Sequence, residues 1–212
     1  MGRTIVMLLL STLLFISCNK QEAEVPSLHK NKTQVTVVSG EEVPHIAALG
    51  DSVAKTLLAT LKHELITTIK KEGVVEAIKV CNVKALPLTE KTARRFGSSI
   101  DVKRTTFKVR NPKNQPDSLE IQALQFFQNA LENGQPLPAH FIQKIQNNNR
   151  VVYRYYMPLK VAPLCLNCHG DPGHMPEALK QELAQLYPND QATGYQAGDF
   201  RGVIRVEISS QE

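Results

Sequence analysis

Residues 151–170 read VVYRYYMPLKVAPLCLNCHG, a Val- and Tyr-rich run that favours extended backbone and leads into Cys165-Leu166-Asn167-Cys168-His169-Gly170. C-x-x-C-H is the spacing at which two thiols reach the two vinyl groups of one haem while the next residue offers an imidazole to the iron. Cys165 and Cys168 therefore read as attachment sites and His169 as an axial ligand. A C-x-x-C pair has three other readings: a redox disulfide, half of a zinc site, or a structural bridge. The redox reading expects a βαβ context and makes no use of His169. A structural zinc site needs a second ligand pair, and the chain has no second C-x-x-C and no H-x3-H. With one motif and no internal repeat, one covalent haem c is expected.

The start of the chain agrees. Met1-Gly2-Arg3 is a short basic region, and the apolar run from Ile5 to Ile16 is too short to span a bilayer, so it reads as a signal peptide. The run ends in Phe15-Ile16-Ser17-Cys18, a loose lipobox with Phe15 where Leu is usual. Cys18 is read as the lipidated residue, against ordinary cleavage that discards it or leaves it a free thiol. Residues 1–18 are thus expected to be signal peptide and lipobox, 19–44 a polar flexible tether, and 45–212 a haem domain of ~170 residues, enough for a sizeable core. No later stretch approaches 18 apolar residues, so the expected location is the periplasmic side of a bacterial membrane, held by lipid alone. Haem attachment to C-x-x-C-H belongs on that side. The 25 Lys and Arg against 20 Asp and Glu give +5, or +4 without Arg3. These charges are spread along the chain with no stripe, which argues against a nucleic-acid partner.

Ile46, Leu49, Val53, Leu57, Leu61, Leu65 and Ile69 recur at three- and four-residue steps and predict a long helix from about Ile46 to Lys71. Gly73 interrupts it; a short helix through Val75, Ile78 and Cys81 is expected next, then another from Pro87 to Phe96, closed by Gly97. Val102 to Val109 reads as a strand. The double-proline stretch Arg110 to Pro116 is turn chemistry, and Asp117 with Glu120 approximates a capping box for a helix ending at Gly134. Val151 to Leu159 and Arg201 to Ile208 are further strands, with a helix from Pro176 to Leu186 between them. Helices early and strands late imply an α+β domain with an antiparallel sheet.

The other site candidates divide. Of four cysteines, Cys18 goes to lipid and Cys165 and Cys168 to haem, which leaves Cys81 on the apolar side of its helix. The residues alone leave it balanced between a small buried hydrophobe and an iron ligand. His63, His140, His174, Met157 and Met175 are each a core or surface residue, or a sixth ligand. Arg104 and Arg110 flank a strand and either fork onto haem propionates or pair at the surface. The turn-rich segment from Tyr187 to Asp199 either covers a haem edge or is a plain loop.

The strings AIKVCN (77–82), RTTFKVRNPKNQPDSLE (104–120), PLKVAPLCLNCHG (158–170) and YPNDQATGYQAGDFRGVIRVEI (187–208) resemble successive blocks of a bacterial family of single-haem c-type domains of the Tll type. The resemblance runs from about Ile46 to Ile208. It implies a PAS-like fold with a long N-terminal helix and flanking helices, and a sensor-like haem domain whose axial pair is His169 with Cys81 as the distal ligand. Family members occur alone or as extracytoplasmic input modules of kinases and chemoreceptors; here no transmitter domain accompanies the haem motif. The expected function is a redox or gas sensor, its partner a diatomic ligand or a redox protein. The alternative is a periplasmic electron-transfer cytochrome, and a peroxidase-like enzyme ranks third because no distal His/Arg pair stands out.

Overall fold

Five strands pair antiparallel in one sheet in the computed structural model, which describes residues 1–2, 33–147 and 150–210. They are β1 Gln34–Val37, β2 Ile100–Thr105, β3 Phe141–Asn147, β4 Arg150–Lys160 and β5 Phe200–Ser209, in the order β1-β3-β4-β5-β2. The helices are α1 Glu42–Glu72, α2 Val74–Phe96, α3 Ser118–Glu132, α4 Leu166–His169 and α5 Glu177–Leu186. This is the expected PAS-like α+β arrangement. The signal segment and Cys18 lie outside the described residues.

Alternation along β4 divides the core. Tyr155 and Met157 face α1, where they pack with Val53, Ala54, Leu57, Ile204 and Val206, while Tyr156 faces α3 with Leu124, Phe127, Phe141 and Val203. Gly50 sets the approach of α1, because a Cβ there would collide with the ring of Tyr155. The Tyr155 hydroxyl donates to Asp51 at 3.1 Å and that of Tyr156 to Gln143 Oε1 at 2.8 Å, so both buried phenols are satisfied. The capping box at α3 is present: Asp117 Oδ1 accepts from Glu120 N at 2.8 Å, and Glu120 Oε2 accepts from Asp117 N at 2.9 Å.

Three expectations change. Residues 34–37, expected within the tether, form β1 on the edge of β3, and α1 begins at Glu42, before Pro44. All four β1 residues are exposed, so no burial period marks the strand; backbone pairing makes it. Pro44 sits in the first turn, where a missing N–H costs nothing. The two short helices around Cys81 and Pro87 are a single α2, with Pro87 inside it. The bond that Pro87 cannot donate belongs to Val83, which is 70% exposed, so solvent can replace it, while Ala77, Ile78, Thr89, Thr92 and Ala93 bury both halves of the helix. The strand expected over Val102–Val109 is β2, Ile100–Thr105. β3, whose FIQKIQN sequence sets its polar residues in adjacent pairs with no strict alternation, is defined by pairing with β4 along its whole length.

Candidate functional site

The motif sits where β4 leaves the sheet. The β4–β5 register shifts at Leu159/Lys160, opposite Gly202 and Phe200, and Gly202 adopts φ 141. A Cβ on Gly202 would collide with Thr105 O and lie 2.8 Å from Thr106 Cβ, so only glycine lets β5 pass this close to the end of β2. Beyond Lys160 the chain makes a 3-10 turn, Pro163–Cys165, and then the single turn of α4. Gly170 closes that turn with its N–H on Leu166 O at 2.9 Å, and a Cβ there would lie 2.6 Å from the same oxygen.

Beside this turn is a cavity of about 700 Å³. One wall is α1, with Leu61, Leu65 and Ile69; a second is α2, with Ile78, Cys81 and Leu88; the sheet contributes Pro158, Leu159, Val203 and Ile204. Cys165, Cys168, His169, Cys81, Arg104 and Arg110, which are scattered over 89 positions of sequence (81 to 169), all line it. Of the other ligand candidates none does: Met157 belongs to the core under α1, Met175 packs with Leu179 and Leu183, His174 is exposed beside Asp171, and His63 is exposed. The His140 ring is tilted against that of Tyr155, their centres 5.6 Å apart. His169 is the one histidine in the cavity wall among the described residues.

The imidazole is already oriented. His169 Nδ1 donates to Ala192 O at 2.7 Å, which leaves the Nε2 lone pair free. Burial, with Arg110, Arg201 and Arg104 nearby, pushes its pKa down to about 3, so the ring is neutral and able to ligate. Burial likewise raises the Cys168 thiol to about 11 and raises Cys81, the latter opposed by the guanidinium groups of Arg104 and Arg110. Cys81, Cys165 and Cys168 are free thiols, and among the described residues no three His, Cys, Asp or Glu side chains converge as a tetrahedral metal site would require.

The arginines separate. Arg104 Nε is buried with no hydrogen-bond partner, and burial lowers the pKa of the guanidinium, so an unpaired cation borders the cavity. Arg110, offered by the sequence for the same role, also lines the cavity, with its Nε and Nη2 on Asp190, Cys168 O and Ala192 O. Arg201, not singled out from the sequence, lines the cavity; its Nη1 donates to Thr106 Oγ1 at 2.9 Å and the guanidinium lies 5.2 Å from the centre of the Tyr195 ring. Its only sequence signal was a cation at the start of a strand. The segment from Tyr187 to Asp199 wraps the motif: Gly194 N donates to Gly170 O at 2.8 Å and Tyr195 N to His169 O at 2.9 Å.

The Tll0287-like family profile matches residues 20–209. Among solved structures, the cyanobacterial heme-protein Tll0287 is similar at 24% identity and a TM-score of 0.51, the alignment covering 82% of this chain and 99% of that one, a likeness of fold. No curated protein matches the chain. With nearly its whole length matched by that profile, the chain belongs to the Tll0287-like family.

Proposed function

We propose that the protein carries one covalent haem c on the periplasmic side of a bacterial membrane, anchored by lipid on Cys18, and acts as a redox or gas sensor module and not as an enzyme. One observation carries the haem reading: two motif thiols, an imidazole with free Nε2, a further thiol and an unpaired guanidinium meet in one cavity of apolar walls. The related structure is that of a heme-protein, which supports it. The residues fit the group. Cys165 and Cys168 would hold it through thioethers, each S–H adding across one vinyl group with no oxidant required. His169 Nε2 and the Cys81 thiol would ligate the iron, and Arg104 would meet a propionate carboxylate.

Bound haem would supply a one-electron change at iron and an exchangeable axial position. A Cys81 thiolate would favour the ferric state and lower the potential relative to a neutral thioether. Cys81 would act from α2, which also packs Ile78 against α5, so a change in its ligation would be felt along that helix. Electron transfer is the second reading. It draws on the open side of the cavity, where Leu58 is 39% exposed.

The test is Cys81→Ala in protein matured with haem. The ferric spectrum should lose its thiolate-ligated low-spin character and the potential should rise, with haem still resisting acid-acetone extraction; fast CO or NO binding to the reduced wild type supports sensing. An unchanged ferric spectrum and potential would return Cys81 to packing and favour the electron carrier.

A further inference from the structure

Arg110 and Asp190 form an ion pair inside the protein, their side chains 8% and 12% exposed. Arg110 Nε donates to Asp190 Oδ2 at 3.0 Å, and Nη2 lies 2.9 Å from the same oxygen. Nη2 also donates to Cys168 O at 2.6 Å and to Ala192 O at 3.3 Å. The other oxygen of Asp190 accepts from Ala192 N at 2.8 Å. One carbonyl, that of Ala192, therefore receives both the Arg110 guanidinium and the Nδ1–H of His169.

We propose that Arg110 and Asp190 are a positioning pair for the His169 imidazole, holding the Ala192 carbonyl that fixes Nδ1–H and pinning the motif through Cys168 O. The inference rests on the reading of His169 as an axial ligand. Backbone bonds hold the segment on either side, with Gln191 N on Val109 O at 3.0 Å and Tyr195 N on His169 O at 2.9 Å; the ion pair closes the middle. The pair is buried, so solvent cannot substitute for a lost partner, and the carbonyl would lose both its position and its charge-assisted donor together. Because the guanidinium draws on the same lone pairs as Nδ1–H, it also limits the polarisation of the imidazole and hence the donor strength of Nε2.

The experiment compares haem-loaded full chain, Arg110→Lys, Asp190→Asn and the double variant, by covalent haem content, ferric EPR g-values and hydrogen exchange of the amides of residues 190–195. Both single variants should retain haem, shift the g-values in the same direction, and speed exchange by about tenfold or more. The double variant should move no further than the larger single one, because the two residues act as a unit. An Asp190→Asn protein with wild-type g-values and exchange, or effects of the two substitutions that simply add, would overturn the proposal and leave Arg110 acting alone, as a propionate contact would. Asp190→Asn is nearly isosteric and decides the matter by itself if Arg110→Lys does not fold. Wild-type protein without covalent haem would defeat the reading of the site, a result distinct from failure of the positioning pair.

Discussion

Arg104→Met should act with opposite sign in the empty and the haem-loaded protein. In the chain without haem, made as Cys165→Ala/Cys168→Ala, Arg104 Nε has no partner and its guanidinium is desolvated at the cavity wall. A buried donor left unsatisfied costs about 1–3 kcal/mol, and Met keeps much of the apolar stem while removing that donor. The haem-free variant should therefore gain about 1–3 kcal/mol, and at this chain length each kcal/mol raises Tm by roughly 2–4 °C. With haem present, the same substitution deletes a charge-assisted contact to a carboxylate, a loss of about 1.5–3 kcal/mol, and removes a positive charge near the iron, so the potential falls. Urea unfolding of both forms and a redox titration of the loaded form provide the assay. If Arg104→Met destabilises the haem-free chain as much as the loaded one, the guanidinium has a structural partner and the anion-site reasoning fails.

Gly170→Ala places a Cβ 2.6 Å from the backbone oxygen of Leu166, so α4 must shift; a loss of about 1–3 kcal/mol and a lower yield of covalent haem are expected, and a normal yield with unchanged stability would contradict the tight turn. Glu120 is 1% exposed, 2.7 Å from Lys103 Nζ and 3.0 Å from Arg205 Nε, and its Oε2 also closes the α3 capping box, so Glu120→Ala should cost about 1–3 kcal/mol in urea unfolding even though Arg205 keeps Asp101 and Glu207; a loss below about 0.5 kcal/mol would refute it. In haem-free protein, His169 has a folded pKa of about 3 against an unfolded value near 6.5, so between these values the unfolded state binds more protons. Its contribution to stability should thus fall as pH drops from about 6.5 towards 3, by at most about 1.4 kcal/mol per pH unit, and His169→Gln should flatten that slope.

What the sequence determined by itself was whatever depends on short covalent spacing or local backbone chemistry. Two thiols and an imidazole within five residues define their own geometry, Asp117 and Glu120 satisfy each other across one helical turn, and the α1 stripe and the Val-rich β4 and β5 carry their periods in plain view. The tertiary structure decided what depends on partners distant in the chain. β1 is all exposed and exists because β3 pairs with it, and α2 runs through Pro87 because burial on both sides outweighs one missing bond. The arginines show the difference most clearly. Arg104 and Arg110 are alike in sequence, both cations flanking one strand, yet the fold brings Asp190 and the Ala192 carbonyl to Arg110 and nothing to Arg104 Nε. A side chain's role follows from what desolvates it and what then satisfies it, and here those partners lie 80 or more residues away, where no local pattern records them.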